Sequence, residues 1–125
     1  MKIIIDTHIF LWLVYDTKKI QKHYWQYLED RDNTLYLSSM SIAEMMIKKS
    51  IGNLEIEFDM LAMIEDMGLE ILDFDGMSAL ELATLPFHHR DPFDRMIISQ
   101  VLTNKYKLIS DDSKFKMYSC NLIEK

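Results

Sequence analysis

The chain is poor in the residues that bend, staple or interrupt a polypeptide. Among 125 residues it has three glycines, two prolines and one cysteine. So few turn formers leave little room for long irregular loops. The lone cysteine, Cys120, excludes an internal disulfide and a cysteine zinc site; with no His or Asn obviously placed to serve it, it reads as a small apolar residue. Positive charge is also scarce, with 14 Lys and Arg against 20 Asp and Glu, a net charge of −6. That argues against strong non-specific nucleic-acid binding, which relies on Lys and Arg releasing counterions. It leaves a nuclease open, because acids gathered to hold a metal make the total more negative. Long hydrophobic runs are missing too. Asp6 and His8 interrupt the apolar N-terminus, no small-residue cleavage site follows, and the run from Ile9 to Tyr15 is too short to span a bilayer. The expectation is a cytoplasmic protein without a membrane partner.

What remains is an ordinary globular mix, 49% apolar and 27% charged, with ten methionines as core filler. The length suits a single domain over residues 1–125, able to bury roughly two-thirds of its unfolded surface without a staple. KIIID (2–6) reads as a buried strand, followed by a short apolar helix capped by Thr7. Lys18 to Arg31 is amphipathic, with Ile20, Tyr24, Tyr27 and Leu28 on one side. LYLSS (35–39) is a strand, and Ser41 opens a helix to about Ser50. Phe58 to Met67 is helical, LEILDF (69–74) a strand, and Asp75 or Ser78 caps a helix ending near Pro86. A helix from Pro92 to about Tyr106, a strand KLIS (107–110), a helical turn and a last strand NLI (121–123) complete the pattern. Strands alternating with helices predict parallel βαβ units, hence an α/β fold: one three-layer α/β/α domain around a central parallel sheet.

The densest chemistry is HHRDPFDR (88–95), which sits where a helix should begin. Asp91-Pro92 has the form of an N-cap followed by proline at its preferred first position. Asp91 then turns to its own amides, and Asp94 is freer to reach outward, as a ligand. Other acids fall at comparable places. Asp6 ends the first strand, Asp111 and Asp112 end the strand before last, and Glu44 lies at the start of the helix after strand two. Ligands of open parallel sheets bind beyond the carboxyl ends of the strands, so these acids can crowd one edge. Crowded carboxylates in a low-dielectric crevice repel one another. A divalent cation relieves that, and Mg²⁺ and Mn²⁺ prefer carboxylate oxygens and keep several waters. Each acid also has a plain structural reading. Asp6 could cap the next helix, and Glu44 completes a Ser-x-x-Glu capping box with Ser41. Arg90 and Arg95 could contact phosphate, or Arg95 could pair with Asp91. His88 and His89 could meet a substrate backbone or be ordinary loop residues, and His8 could face the crevice or pack internally.

These residues together resemble the PIN-domain ribonucleases of the VapC-like toxin type. The resemblance lies in Ile5-Asp6-Thr7-His8, in Ser38 through Glu44, in His89-Arg90-Asp91-Pro92-Phe93-Asp94-Arg95 with the apolar Met96-Ile97-Ile98 behind it, and in Leu108 through Phe115. It implies a metal-binding acidic set of Asp6, Glu44, Asp94 and Asp112. In such proteins the last acid stands three residues before an aromatic, which selects Asp112, ahead of Phe115, over Asp111. Where the family commonly has Thr-x-Asp, Ser110 supplies the hydroxyl. The resemblance further implies an α/β/α sandwich, Mg²⁺ or Mn²⁺ dependence, RNA cleavage, homodimers and inhibition by a small antitoxin. Exposed-looking aromatics, Trp12, Tyr15 and Trp25, lend the dimer some support.

The expected activity is metal-dependent endonucleolytic hydrolysis of single-stranded RNA by an activated water, as the toxin of a toxin–antitoxin pair. Asp91, Arg95, Arg90, Thr7 and Ser110 are expected around the acids, supporting them or touching substrate. Three other kinds of protein share some of these features. A catalytically silent PIN-like binding module would use the same fold without chemistry. A phosphoacceptor receiver domain would want an acid pair after strand one and a lysine after a late strand, whereas Asp6 is followed by Thr-His and the late strand ends in acids. A hydrolase of phosphate monoesters would prefer Asp-x-Asp, and position 8 is His.

Overall fold

The structure, a computed structural model, describes residues 1–118 and 121–123. Cys120 lies outside them. Five strands form one all-parallel sheet: β1 (Lys2–Ile5), β2 (Thr34–Ser38), β3 (Glu70–Leu72), β4 (Lys107–Ile109) and β5 (Asn121–Leu122). Their order is β3-β2-β1-β4-β5, so the chain winds outward from β1 on one side and then returns to its other side. β1 is central because its isoleucines satisfy both faces. Ile3 and Ile5 pack into one hydrophobic cluster, Ile4 into the other, and none of the three is exposed.

Helices cover both faces, as an α/β/α sandwich requires. They are α1 (Thr7–Tyr15), the single turn α2 (Trp25–Leu28), α3 (Ser39–Ser50), α4 (Met60–Asp66), α5 (Gly76–Glu81) and α6 (Pro92–Asn104). The first cluster joins Ile9 and Phe10 of α1, Met45 of α3 and Met60 and Ile64 of α4 to the sheet. The second joins Ile97, Ile98 and Val101 of α6 to Leu108, Phe115 and Tyr118. Met46, Met63 and Met67 fill gaps around the first cluster.

Four local expectations differ. The segment 18–31 is broken into two 3₁₀ turns (Thr17–Lys19 and Lys22–Tyr24) and α2, because Ile20 turns extended to bury its side chain. Asp6, not Thr7, caps α1, accepting from the Ile9 N–H at 2.8 Å. The helix after β2 begins at Ser39 rather than Ser41, capped by the Ser38 hydroxyl on the Met40 N–H. Ser41 and Glu44 therefore form no capping box, and Glu44 stands in the second turn. Finally, Trp12 and Trp25 are half-buried against the core; of the three aromatics only Tyr15 is exposed.

Register fixes where the chain leaves the sheet. Ile5 pairs with Leu37 on one side and Ile109 on the other. Asp6, Ser38 and Ser110 therefore emerge at one level, and the crevice between β1 and β4 is the point where the winding reverses.

Candidate active site at the sheet reversal

Asp6 emerges from β1 and is almost wholly buried, 3% exposed. One carboxylate oxygen caps α1; the other accepts from the Ser110 hydroxyl, which itself accepts from the Asp112 N–H at 3.0 Å. A short relay thus ties the end of β1 to the loop after β4. Burial pushes the Asp6 carboxyl up to about 6, against the pull of those hydrogen bonds.

Asp94 occupies the position expected of it. Asp91 caps α6 through one oxygen shared by the Phe93 and Asp94 N–H groups, at 2.8 and 3.3 Å, and Pro92 opens the helix. Asp94 is left to face the crevice. Its carboxyl is raised to about 7, first by burial and then by the negative charges of Asp91, Glu44 and Asp6, with His89 opposing them. Acids from β1, α3 and α6 therefore act on one group.

Glu44 reaches the crevice from α3, where it is 5% exposed. The Thr7 hydroxyl donates to its Oε1 at 3.0 Å and lies 2.9 Å from the Ser41 hydroxyl. Its Oε2 pairs with Lys48 at 2.9 Å, one helical turn away. That hydrogen bond holds the Lys48 ammonium above the ordinary lysine range, and the charges of Asp91 and Asp94 add to the effect. Asp112 caps the 3₁₀ turn Ser113–Met117 through the Lys114 N–H. Burial would raise its carboxyl, but the Lys114 amide and His89 outweigh that and hold it below the usual range. Asp111 points elsewhere and accepts from the Gln21 amide at 3.1 Å.

Two residues have more weight here than their sequence suggested. His89 is buried, and its Nε2 lies 2.9 Å from Asp94 and 3.0 Å from Asp112. Ligand-capable atoms of these three residues all lie within 4.8 Å of one another. Tyr118 accepts from the backbone N–H groups of His88 and His89, at 3.1 and 2.8 Å. No local pattern connects Tyr118 to a loop thirty residues earlier; only its apolar-polar character hinted at a buried ring needing a partner.

The arginines divide. Arg90 is exposed, without a partner among the described residues. Arg95 forms no ion pair with Asp91. Its guanidinium donates to the Pro86 and Leu85 carbonyls, at 3.0 and 3.4 Å, and lies over the Phe87 ring. Those otherwise bare carbonyls explain the difference. His8 is exposed rather than packed internally, its ring tilted at 50° to that of Trp12 with 6.2 Å between centroids.

The donors fit a hard divalent cation. Asp6 is buried and Asp94 half-buried; burial penalises the ionised form of each, the charge of Asp6 adds to the penalty on Asp94, and carboxylate oxygens are what Mg²⁺ and Mn²⁺ select.

Comparison with known proteins bears on the fold and the family. No match is found among curated proteins. Solved structures do match. A chain in the crystal structure of VapBC2 from Rickettsia felis, bound to a DNA fragment from their promoter, aligns with a TM-score of 0.73 at 20% identity; the alignment covers 98% of this chain and 96% of that one. A chain of VapBC-1 from nontypeable Haemophilus influenzae gives 0.71 at 18% identity, covering 99% and 98%. DNA-bound VapBC from Salmonella typhimurium gives 0.68 at 18%, covering 98% and 97%. At these identities the likeness is one of fold. The sequence itself matches the PIN domain from residue 3 to residue 119, and the chain belongs to that family.

Proposed function

We propose that this protein is a divalent-metal-dependent endoribonuclease that hydrolyses single-stranded RNA, and that it is the toxin of a toxin–antitoxin pair. One observation carries the reading. Asp94 is pushed up to about 7 by burial and by acids arriving from three places in the chain, an arrangement that costs stability unless a cation compensates it. Asp6 and Asp94 would hold the ion, with Glu44 and Asp112 completing the site directly or through water. When bound, Mg²⁺ or Mn²⁺ supplies an acidified water and offsets charge on the phosphate oxygens.

The chain's own residues do the rest. Ser110 and the α1 amide fix the two oxygens of Asp6, and Asp91 fixes the first turn of α6 so that Asp94 faces inward. Thr7 orients Glu44. Arg90 is free to meet a phosphate of the RNA, whereas Arg95 is committed to its own loop. The partner would be a small antitoxin, since relatives of the same fold occur in VapBC complexes. A homodimer and a cytoplasmic location belong to the same proposal; among the described residues no helix is long and apolar enough to cross a membrane.

The Glu44–Lys48 pair favours the second reading, a silent binding module, because an internal ammonium already neutralises one of the acids. One assay separates the two. A short single-stranded RNA is incubated with the protein and Mg²⁺ or Mn²⁺. Cleavage abolished by EDTA is expected, and Asp6→Asn or Asp94→Asn should fall below detection while retaining native circular dichroism. RNA left intact under every metal condition would overturn the nuclease reading, and a variant that cuts at the normal rate would remove that residue from the site.

A further inference from the structure

His89 lies among the carboxylates as though it were a further ligand, but its other nitrogen argues otherwise. Nδ1 faces the Asp91 N–H at 3.2 Å. That N–H donates, so Nδ1 must offer a lone pair, and the single proton of the neutral ring sits on Nε2. A metal-binding histidine has the reverse arrangement, donating its far N–H to a carboxylate, a carbonyl or water. Ligation through Nε2 would here require lone pairs on both nitrogens, a ring stripped of its proton.

We infer that His89 is a positioning residue, a neutral clasp whose Nε2–H holds the Asp94 and Asp112 carboxylates together, and that it does not bind the metal. The two acids come from different elements, α6 and the turn after β4, and repel one another. Nε2 is hydrogen-bonded to the Asp112 Oδ2 at 3.0 Å, and the Asp94 Oδ2 comes within 2.9 Å of the same nitrogen. It is restrained on every side. Its own N–H is held by the Tyr118 hydroxyl at 2.8 Å, its ring leans on Phe115 with 5.9 Å between centroids, and Nδ1 is held by Asp91 at the start of α6. So fully fixed a donor sets the spacing of the two carboxylates before any ion arrives.

This role rests on the metal-dependent reading, and the test keeps the two apart. Mn²⁺ is titrated into the full chain, binding is followed by the EPR signal of free Mn²⁺, and pulsed EPR reads nitrogen coupling to the bound ion. The wild type should bind Mn²⁺ without a coupling from His89. His89→Ala should bind about 10–100-fold more weakly. His89→Gln, whose amide Nε2–H reaches nearly the same point, should recover most of that loss. A directly coupled nitrogen present in the wild type and lost in His89→Gln would make His89 a ligand and overturn the clasp. So would Ala and Gln variants that both bind as the wild type does. A wild type that ignores Mn²⁺ altogether would overturn the metal-dependent reading beneath it.

Discussion

A carboxylate at the start of a helix can serve its own amides or reach outward, and the acids of this chain divide the work. Asp91 spends one oxygen on α6, while Asp6 and Asp112 cap with one oxygen and meet Ser110 and His89 with the other. The support behind them is concentrated in Tyr118. Its hydroxyl accepts two buried or half-buried N–H groups. Tyr118→Phe leaves both without a partner and should cost about 1–3 kcal/mol in urea denaturation. The Asp91-Pro92-x-Asp94 geometry was legible in the sequence because a cap and the proline after it act within four residues. His89 was not, since what makes it matter is Asp112 and Tyr118, far along the chain. The place of Arg95 was not legible for a related reason: the carbonyls it meets belong to a turn whose shape no local pattern announces.

At the scale of elements, capping ambiguity explains the early start of α3. Ser38, Ser39 and Ser41 can each start a helix. Ser38 does so because β2 delivers it to the sheet edge with extended backbone, φ −66° and ψ 141°. Glu44 then sits one turn further in, where it meets Thr7 rather than its own amides. Strand β1 was legible to within a residue because an uninterrupted isoleucine run has few alternatives to a fully buried strand. The amphipathic stretch 18–31 was less so, since its apolar spacing is kept although the helix is not. Another element end holds a testable strain. Lys105 closes α6 in the left-handed region, φ 58° and ψ 37°, where glycine is at ease and a side chain is not. Lys105→Gly should stabilise the protein by up to about 1 kcal/mol, read from the urea midpoint.

For the whole molecule, the acids make metal-free stability depend on pH. The folded Asp6 carboxyl titrates near 6 and Asp94 near 7, both above the ordinary 3.8. The folded state therefore binds more protons than the unfolded one between those values, and stability falls as pH rises through that window. For buried Asp6 alone the loss is roughly 3 kcal/mol by the time both states are ionised. Asp112, held low, has the opposite sign, but its stabilisation is lost only on acidification below its ordinary range. In EDTA the protein should thus be less stable at pH 8 than at pH 5, and Mn²⁺ should flatten the difference. Equal urea midpoints at the two pH values in EDTA would contradict this.

The Ser110–Asp6 hydrogen bond spans 104 residues of chain. Every ribosome making this protein must therefore pass residue 112 before the crevice can close. A nascent or truncated chain ending earlier has Asp6 and Glu44 but neither Ser110 nor Asp112 beside them. Synthesis itself then sets an order: the acids of β1 and α3 must wait for the loop after β4 before the crevice is whole.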